Sequence, residues 1–342
     1  MGVWAGRAAV AERSVVARHL QRVRVWPLGW LMRTAWPPTP SHRWHEPLHY
    51  WWQAHALDCL VDAELRAPSA ARRRVIRAWP RAQYVRNGAR GTNEYHDDIA
   101  WFGLALERAG RLGLGNARGL RAIVARLRAA WVDDELGGIR WRVGDEFRNA
   151  PTNAPAALLF ARVGYRGLAH WGVRWMERRL RRDDGLLRDG IRADGPAKAL
   201  YTYGQGLYLG ALHELGERGA ARATVGAIRE ALTDDGVLRG AGDGDGGLFA
   251  GITARYLALA GGEDVVVASA EAAWANRAET SSGILFGPDW GVPARVPTAR
   301  DALGANQRPD GVTAAAVPER DLSVQLSGWM LMEAAALVER RG

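Results

Sequence analysis

An all-α toroid of six inner and six outer helices, an (α/α)6 barrel, is the fold class that this 342-residue sequence predicts. Three observations carry the prediction. Six segments are apolar almost all round and rich in Ala and Gly, as helices enclosed on every side by close neighbours must be. Between them lie stretches with apolar residues on one face and mostly arginine on the rest. Hardly any segment alternates with the two-residue period of a strand.

The inner helices are expected at 49–65, 95–109, 152–164, 203–216, 248–260 and 322–338. The one-sided outer helices are expected at 4–24, 69–86, 116–132, 167–182, 219–232 and 264–279. In 116–132, Leu120, Ile123, Val124, Leu127 and Trp131 recur at helical spacing, while Arg118, Arg121, Arg126 and Arg128 fill the other faces. Strict alternation makes residues 1–342 a single domain. One insertion, 281–321, holds five prolines and Trp290 and is expected to form an ordered lid or wall of the cleft.

In such a ring the connections from outer to inner helices gather at one end, where the inner helices begin. Those connections carry the residues capable of chemistry: 44–52, 91–98, 137–153, 199–206 and 240–247. The connections at the other end are short and bland.

The net charge is +9, and all but one of the 46 basic residues are arginine, the exception being Lys198. Because the arginines are dispersed over many helix faces, no nucleic-acid partner is expected. Cys59 is the single cysteine, so no internal disulfide or cysteine-rich metal site can form, and it reads as a buried structural thiol. No apolar run of about 18 residues would insert stably in a membrane. The first residues lack the apolar core of a secretory signal, so a cytoplasmic monomer is expected unless an export signal precedes the numbering.

Four Asp-Asp pairs occur. Asp133-Asp134, Asp183-Asp184 and Asp234-Asp235 each follow an arginine-rich amphipathic stretch and precede a turn, where Asp and Gly are the expected punctuation. Asp97-Asp98 alone begins an apolar helix, crowded by Asn93, Tyr95, Trp101 and Phe102. Two neighbouring carboxyls among aromatics suit glycoside cleavage, one as acid and one as nucleophile or base, and a retaining enzyme holds them roughly 5–5.5 Å apart. A helix N-terminus favours one of them ionised, and its charge raises the pKa of the other. An N-cap pair serving only the helix is the competing reading.

Aromatic residues gather at the same end: Tyr50, Trp51, Trp52, Tyr95, Trp101, Trp141, Tyr201 and Tyr203. Sugar rings stack their C–H faces on such surfaces. Asn149, Asn153 and Gln205 offer donors and acceptors for hydroxyls, with capping as the alternative for the asparagines. Histidines 42, 45, 49, 55 and 96 show no HExxH or comparable spacing, so neither a metal nor another cofactor is expected.

The runs NEYHDDIAWFGLALERAG, GGIRW, FRNAPTNAPAALLFARV, YTYGQGLYLGALHEL and LFAGITARYLALA together resemble glycoside hydrolase family 76, the endo-α-1,6-mannanases, in order from about Trp44 to the last helix. The resemblance implies an (α/α)6 barrel and a retaining, metal-free cleavage of α-1,6-mannosidic linkages in a mannan-type polysaccharide or lipoglycan backbone. It matches Asp97 to the nucleophile and Asp98 to the acid/base. Trp51, Trp52, Asn93, Tyr95, Trp101, Trp141, Asn149, Asn153, Tyr203 and Gln205 become candidate sugar contacts. The family commonly has TYNQG where this chain has Gly204, so a sugar contact is expected to be missing there. Fungal relatives proposed to transfer glycans keep transglycosylation open, and a dead glycan-binding module is the non-enzymatic alternative. Terpene cyclisation, another chemistry of helical toroids, lacks its DDxxD pattern here, since Ile99, Ala100 and Trp101 follow Asp98.

Overall fold

The computed structural model describes residues 2–23, 29–38, 47–298, 306–307, 313–314 and 317–342. His42, His45 and the start of the resemblance at Trp44 lie outside them. Twelve α-helices occur among the described residues, in chain order α1 (Val3–His19), α2 (Tyr50–Arg66), α3 (Ala70–Arg86), α4 (His96–Arg111), α5 (Ala117–Ala129), α6 (Ala150–Arg162), α7 (Arg166–Arg179), α8 (Thr202–Leu215), α9 (Arg218–Ala231), α10 (Phe249–Ala260), α11 (Glu263–Ala275) and α12 (Leu322–Arg341). The even-numbered helices form the inner ring. Each packs against the next, and α12 closes back on α2. The odd-numbered helices lie outside, each packed on the inner ring, and α1 packs on α12, so the first and last helices of the chain meet. The fold is an (α/α)6 barrel.

Local chemistry sets the helix ends. Asn116 caps α5 by accepting the Gly119 N–H at 3.0 Å, and Gly261 closes α10 with a left-handed φ of 95°. Inside the ring, small residues let backbones approach. A Cβ added at Gly206 on α8 would come within 2.6 Å of Thr253 Cα on α10, and one at Gly251 on α10 within 2.6 Å of Ser327 Cα on α12.

The inner helices are less uniformly apolar than their sequences read. Away from the helix starts, Arg255 on α10 pairs with Asp58 and Asp62 of α2 at 2.5 Å each, and Arg108 of α4 pairs with the same two aspartates. Charges this enclosed persist only when paired. Cys59 is fully buried beside this network, and burial pushes its thiol well up.

Three expectations change. The first outer helix stops at His19 rather than running to 24, because Leu20–Arg22 (β1) turns away to pair with Trp30–Met32 (β2). Other short hairpins fill the connections at the cleft end: β3 (Arg148–Asn149) with β4 (Gly190–Arg192) and β5 (Gly195–Pro196), β6 (Thr233–Asp234) with β7 (Val237–Leu238), and β8 (Ala278–Thr280) with β9 (Gly283–Leu285). Strands of two or three residues are too short to show a period. The described part of 281–321 is not a wall of the cleft. Its β9 packs on α1, Gln325 of α12 bonds both the N–H and C=O of Phe286, and Trp290 is buried. The other three Asp-Asp pairs are turns: Asp134 accepts the N–H groups of Leu136 and Gly137, Asp184 that of Leu186, and Asp235-Gly236 form the left-handed pair of a hairpin. Among the described residues no helix is long and apolar enough to cross a membrane.

Candidate active site

The starts of five inner helices converge on one cavity of about 320 Å3. Trp51 comes from α2, Asp97 and Trp101 from α4, Asn149 from the cap of α6, Tyr203 from α8 and Phe249 from α10. Helix N-termini aimed at one place favour negative charge there. Three acids line the cavity: Asp97, Asp189 and Asp245.

Asp97 is half-buried in the first turn of α4. Its Oδ2 accepts a 2.9 Å hydrogen bond from the Trp141 indole, while its Oδ1 is enclosed and has no hydrogen-bond partner. Burial pushes this carboxyl up to about 7, although the N–H dipoles of the helix start and the Trp141 bond pull the other way. Asp98 is also half-buried, and its Oδ2 accepts a 2.6 Å bond from Asn93. It is not among the residues lining the cavity. Burial first, and the charge of Asp97 second, hold Asp98 well above the usual carboxylate range. The sequence anticipated an ionised member and a raised partner. The structure raises both, with burial as the larger cause.

One wall is aromatic. Tyr203 and Phe249 stack with centroids 3.7 Å apart and planes 2° apart, and Trp101 lies nearly parallel to Tyr203 at 6.4 Å. Facing rings of this kind offer extended C–H-accepting surfaces. Asp245 stands beside them, its Oδ1 accepting the indole N–H of Trp51 at 2.9 Å and of Trp52 at 2.8 Å.

Of the candidate contacts, Trp51, Trp101, Trp141, Asn149 and Tyr203 line the cavity. Five do not, and each has a structural reason. Trp52 is buried behind Trp51, stacked on His49 at 4.1 Å, and acts on the cavity only through Asp245. Asn93 is occupied by Asp98 and by the Tyr95 N–H. Tyr95 packs edge-on against Trp141. Asn153 is buried and spends its amide on Ile139 N and O and on Asn149 O. Gln205 is likewise buried, clamping Leu187 N and O. These buried amides pin the connecting loops to the helix starts. Gly204 is buried too and does not line the cavity: a Cβ there would meet Ala150 at 3.4 Å.

Sequence reasoning missed Asp245, Asp189, Phe147, Arg192 and Phe249 as lining residues. Asp245 sits among glycines in GAGDGDGG, a loop recognised as chemistry-capable without any one residue standing out. Asp189 follows the Asp183-Asp184 turn and reaches the cavity through the β3–β4 pairing. Its Oδ1 is enclosed without a partner, and burial raises its pKa to about 6.

The model of glycosyl hydrolase family 76 matches residues 34–298. No curated protein sequence matches the chain. Among solved structures, the GH76A alpha-1,6-mannanase from Salegentibacter sp. HEL1_6 is 28% identical with a TM-score of 0.82, the match covering 98% of this chain and 99% of that one. An inactive variant of that mannanase, with two consecutive aspartates replaced by alanine, was solved with alpha-1,6-mannotetrose. It matches at 27% identity and a TM-score of 0.81, over 98% of this chain and 100% of that one. A protein of Listeria innocua is 25% identical with a TM-score of 0.82, over 99% and 98% of the two chains.

Proposed function

The chain belongs to glycosyl hydrolase family 76, and from that premise we propose that this glycoside hydrolase cleaves α-1,6-mannosidic linkages in a mannan-type backbone by a retaining, two-step mechanism. The observation that carries the proposal is the Asp97-Asp98 pair in the first turn of α4, with Asp97 on the wall of an aromatic cavity. It is the chain's one pair of consecutive aspartates that begins a helix rather than making a turn. The Salegentibacter mannanase is inactive when two consecutive aspartates are replaced.

Asp97 attacks the anomeric carbon and forms a glycosyl-enzyme. Its proton must leave first, and the Trp141 bond and the helix start both favour the ionised form. Asp98, kept protonated by burial and by the charge of Asp97, gives its proton to the departing oxygen. It then takes a proton from the water that releases the sugar. Tyr203, Phe249 and Trp101 hold the sugar face, and Asp245 accepts from its hydroxyls.

Proton NMR of a fresh digest of linear α-1,6-manno-oligosaccharides tests this. Two displacements at one carbon restore its configuration, so the α-anomer should appear first. Initial β-anomer would mean single-step inversion, and product longer than the substrate would mean transfer rather than hydrolysis.

A further inference from the structure

A second cavity, about 640 Å3 in volume, opens on the flank of the barrel between the loop after α5 and the outer face of α7. Trp131 and Trp171 stand over it with ring centroids 6.1 Å apart, and Trp171 is 61% exposed. Trp171 is the most exposed tryptophan among the described residues, and it meets a second ring rather than standing alone.

The cavity is built rather than incidental. Its floor is the buried Trp175, whose indole donates to Leu136 O at 2.7 Å. Gly137 and Gly138 adopt left-handed φ values of 67° and 80°, and a Cβ at Gly138 would come 2.6 Å from the Trp175 ring. Asp134 fixes the same loop by accepting the N–H groups of Leu136 and Gly137 and by pairing with the buried Arg148. On the rim, Asp133, Arg174 and Arg178 are exposed and make no ion pair among the described residues. The rim mixes both signs, which suits neither a polyanion nor a polycation. An exposed and a half-buried ring beside a carboxylate and two guanidinium groups with no ion pair among the described residues match the alternating C–H faces and hydroxyl pairs of a neutral sugar.

We propose that Trp131 and Trp171 form a second glycan-binding site that holds a neutral polysaccharide on the flank of the barrel, separate from the cleavage cavity. The polymer it serves is the substrate of the proposed function, and the inference rests on that reading. The loop that builds this site continues through Ile139 to Trp141, so both sites lie at the same end of the barrel.

The test compares the full chain with Trp171→Ala and Arg178→Ala, both at exposed positions, on α-1,6-mannan and on a short α-1,6-manno-oligosaccharide. The expected result is a KM on the polymer raised about five- to tenfold, the loss typical of one aromatic contact, with the oligosaccharide rate unchanged. A polymer KM in the variants equal to the parent's would overturn the second site and leave the proposed function standing. Direct binding is read on an Asp97→Asn, Asp98→Asn background by retardation in native gels containing mannan or other neutral glycans. If no α-1,6 linkage is cleaved, the functional reading fails, and loss of retardation by any neutral glycan on adding Trp171→Ala still supports the site. The inactive cavity still retards the protein on mannan to some extent, so retardation that Trp171→Ala does not weaken at all, or that only an anionic polymer causes, overturns it.

Discussion

The indole nitrogen of Trp141 lies 2.9 Å from Oδ2 of Asp97, so a loop residue between α5 and α6 supports the carboxyl that begins α4. The bond stabilises the charged form of a group that burial otherwise pushes up to about 7. Trp141→Phe keeps a ring in place and removes the donor. The acid limb of kcat/KM should move to higher pH by roughly 1–2 units, the worth of one hydrogen bond to a charged group. The pH–rate profile on an oligosaccharide reads this, and an unmoved limb would assign the limb to another group.

Asp245 acts on the same limb with the opposite sign. Its charge raises both Asp97 and Asp98, so Asp245→Asn should shift the acid limb to lower pH. Asp245→Ala additionally leaves the indoles of Trp51 and Trp52 without their acceptor. An unpaired buried donor costs about 1–3 kcal/mol, so the alanine variant should melt lower than the asparagine one. Equal melting temperatures would mean that the two indoles find other partners.

The four Asp-Asp pairs separate chemistry from punctuation. Asp97→Asn and Asp98→Asn should each lower turnover by roughly three orders of magnitude or more with the helical spectrum intact. Asp183→Asn and Asp234→Asn should be nearly silent, because Asp183 is exposed and Asp234 is a 72% exposed partner of Arg239. Assays at saturating substrate with circular dichroism distinguish the cases. Comparable losses at all four positions would refute the division.

The ring of helices was legible because every inner helix is enclosed and every outer one is half-exposed, and period alone reports that difference. Asp97 was legible because it breaks an apolar run. Asn153 and Gln205 misled because an amide at a helix start reads the same whether it meets a sugar or clamps a loop, and the choice lies with Ile139 and Leu187, residues distant in sequence. Asp245 was illegible for a related reason. Its importance comes from Trp51 and Trp52, almost two hundred positions away, and nothing in GDGDGG records it. The hairpins and the buried Asp58–Arg255 pairing likewise depend on contacts that no local pattern carries.

Close backbone approach gives a stability prediction free of catalysis. Gly251→Ala places a methyl 2.6 Å from Ser327 Cα, where neither backbone can yield cheaply. Overpacking of this kind costs about 1–3 kcal/mol, and the melting temperature should fall by several degrees. Gly226→Ala on α9 is the control, since nothing lies within 4 Å of its added Cβ and alanine favours a helix. Equal shifts at both sites would mean that α10 and α12 can slide apart.

Burial of Asp97 makes stability depend on pH in a direction that can be worked out. The carboxyl rises from an ordinary 3.8 to about 7 on folding, so the folded chain holds the proton more tightly than the unfolded one. Its favourable contribution is therefore complete below the unfolded value and lost as pH rises through the folded one. Asn at position 97 accepts the Trp141 bond without needing to ionise. The Asp97→Asn variant should match the parent near pH 4 and exceed it at pH 8.5 by on the order of 4 kcal/mol, the equivalent of a shift of about three units. Asp98→Asn should behave in the same sense, since its carboxyl is raised by the same cause. Thermal or urea unfolding at the two pH values measures the difference. A gain that is the same at both would belong to packing, whereas a gain that grows with pH belongs to a carboxylate kept out of water for its chemistry.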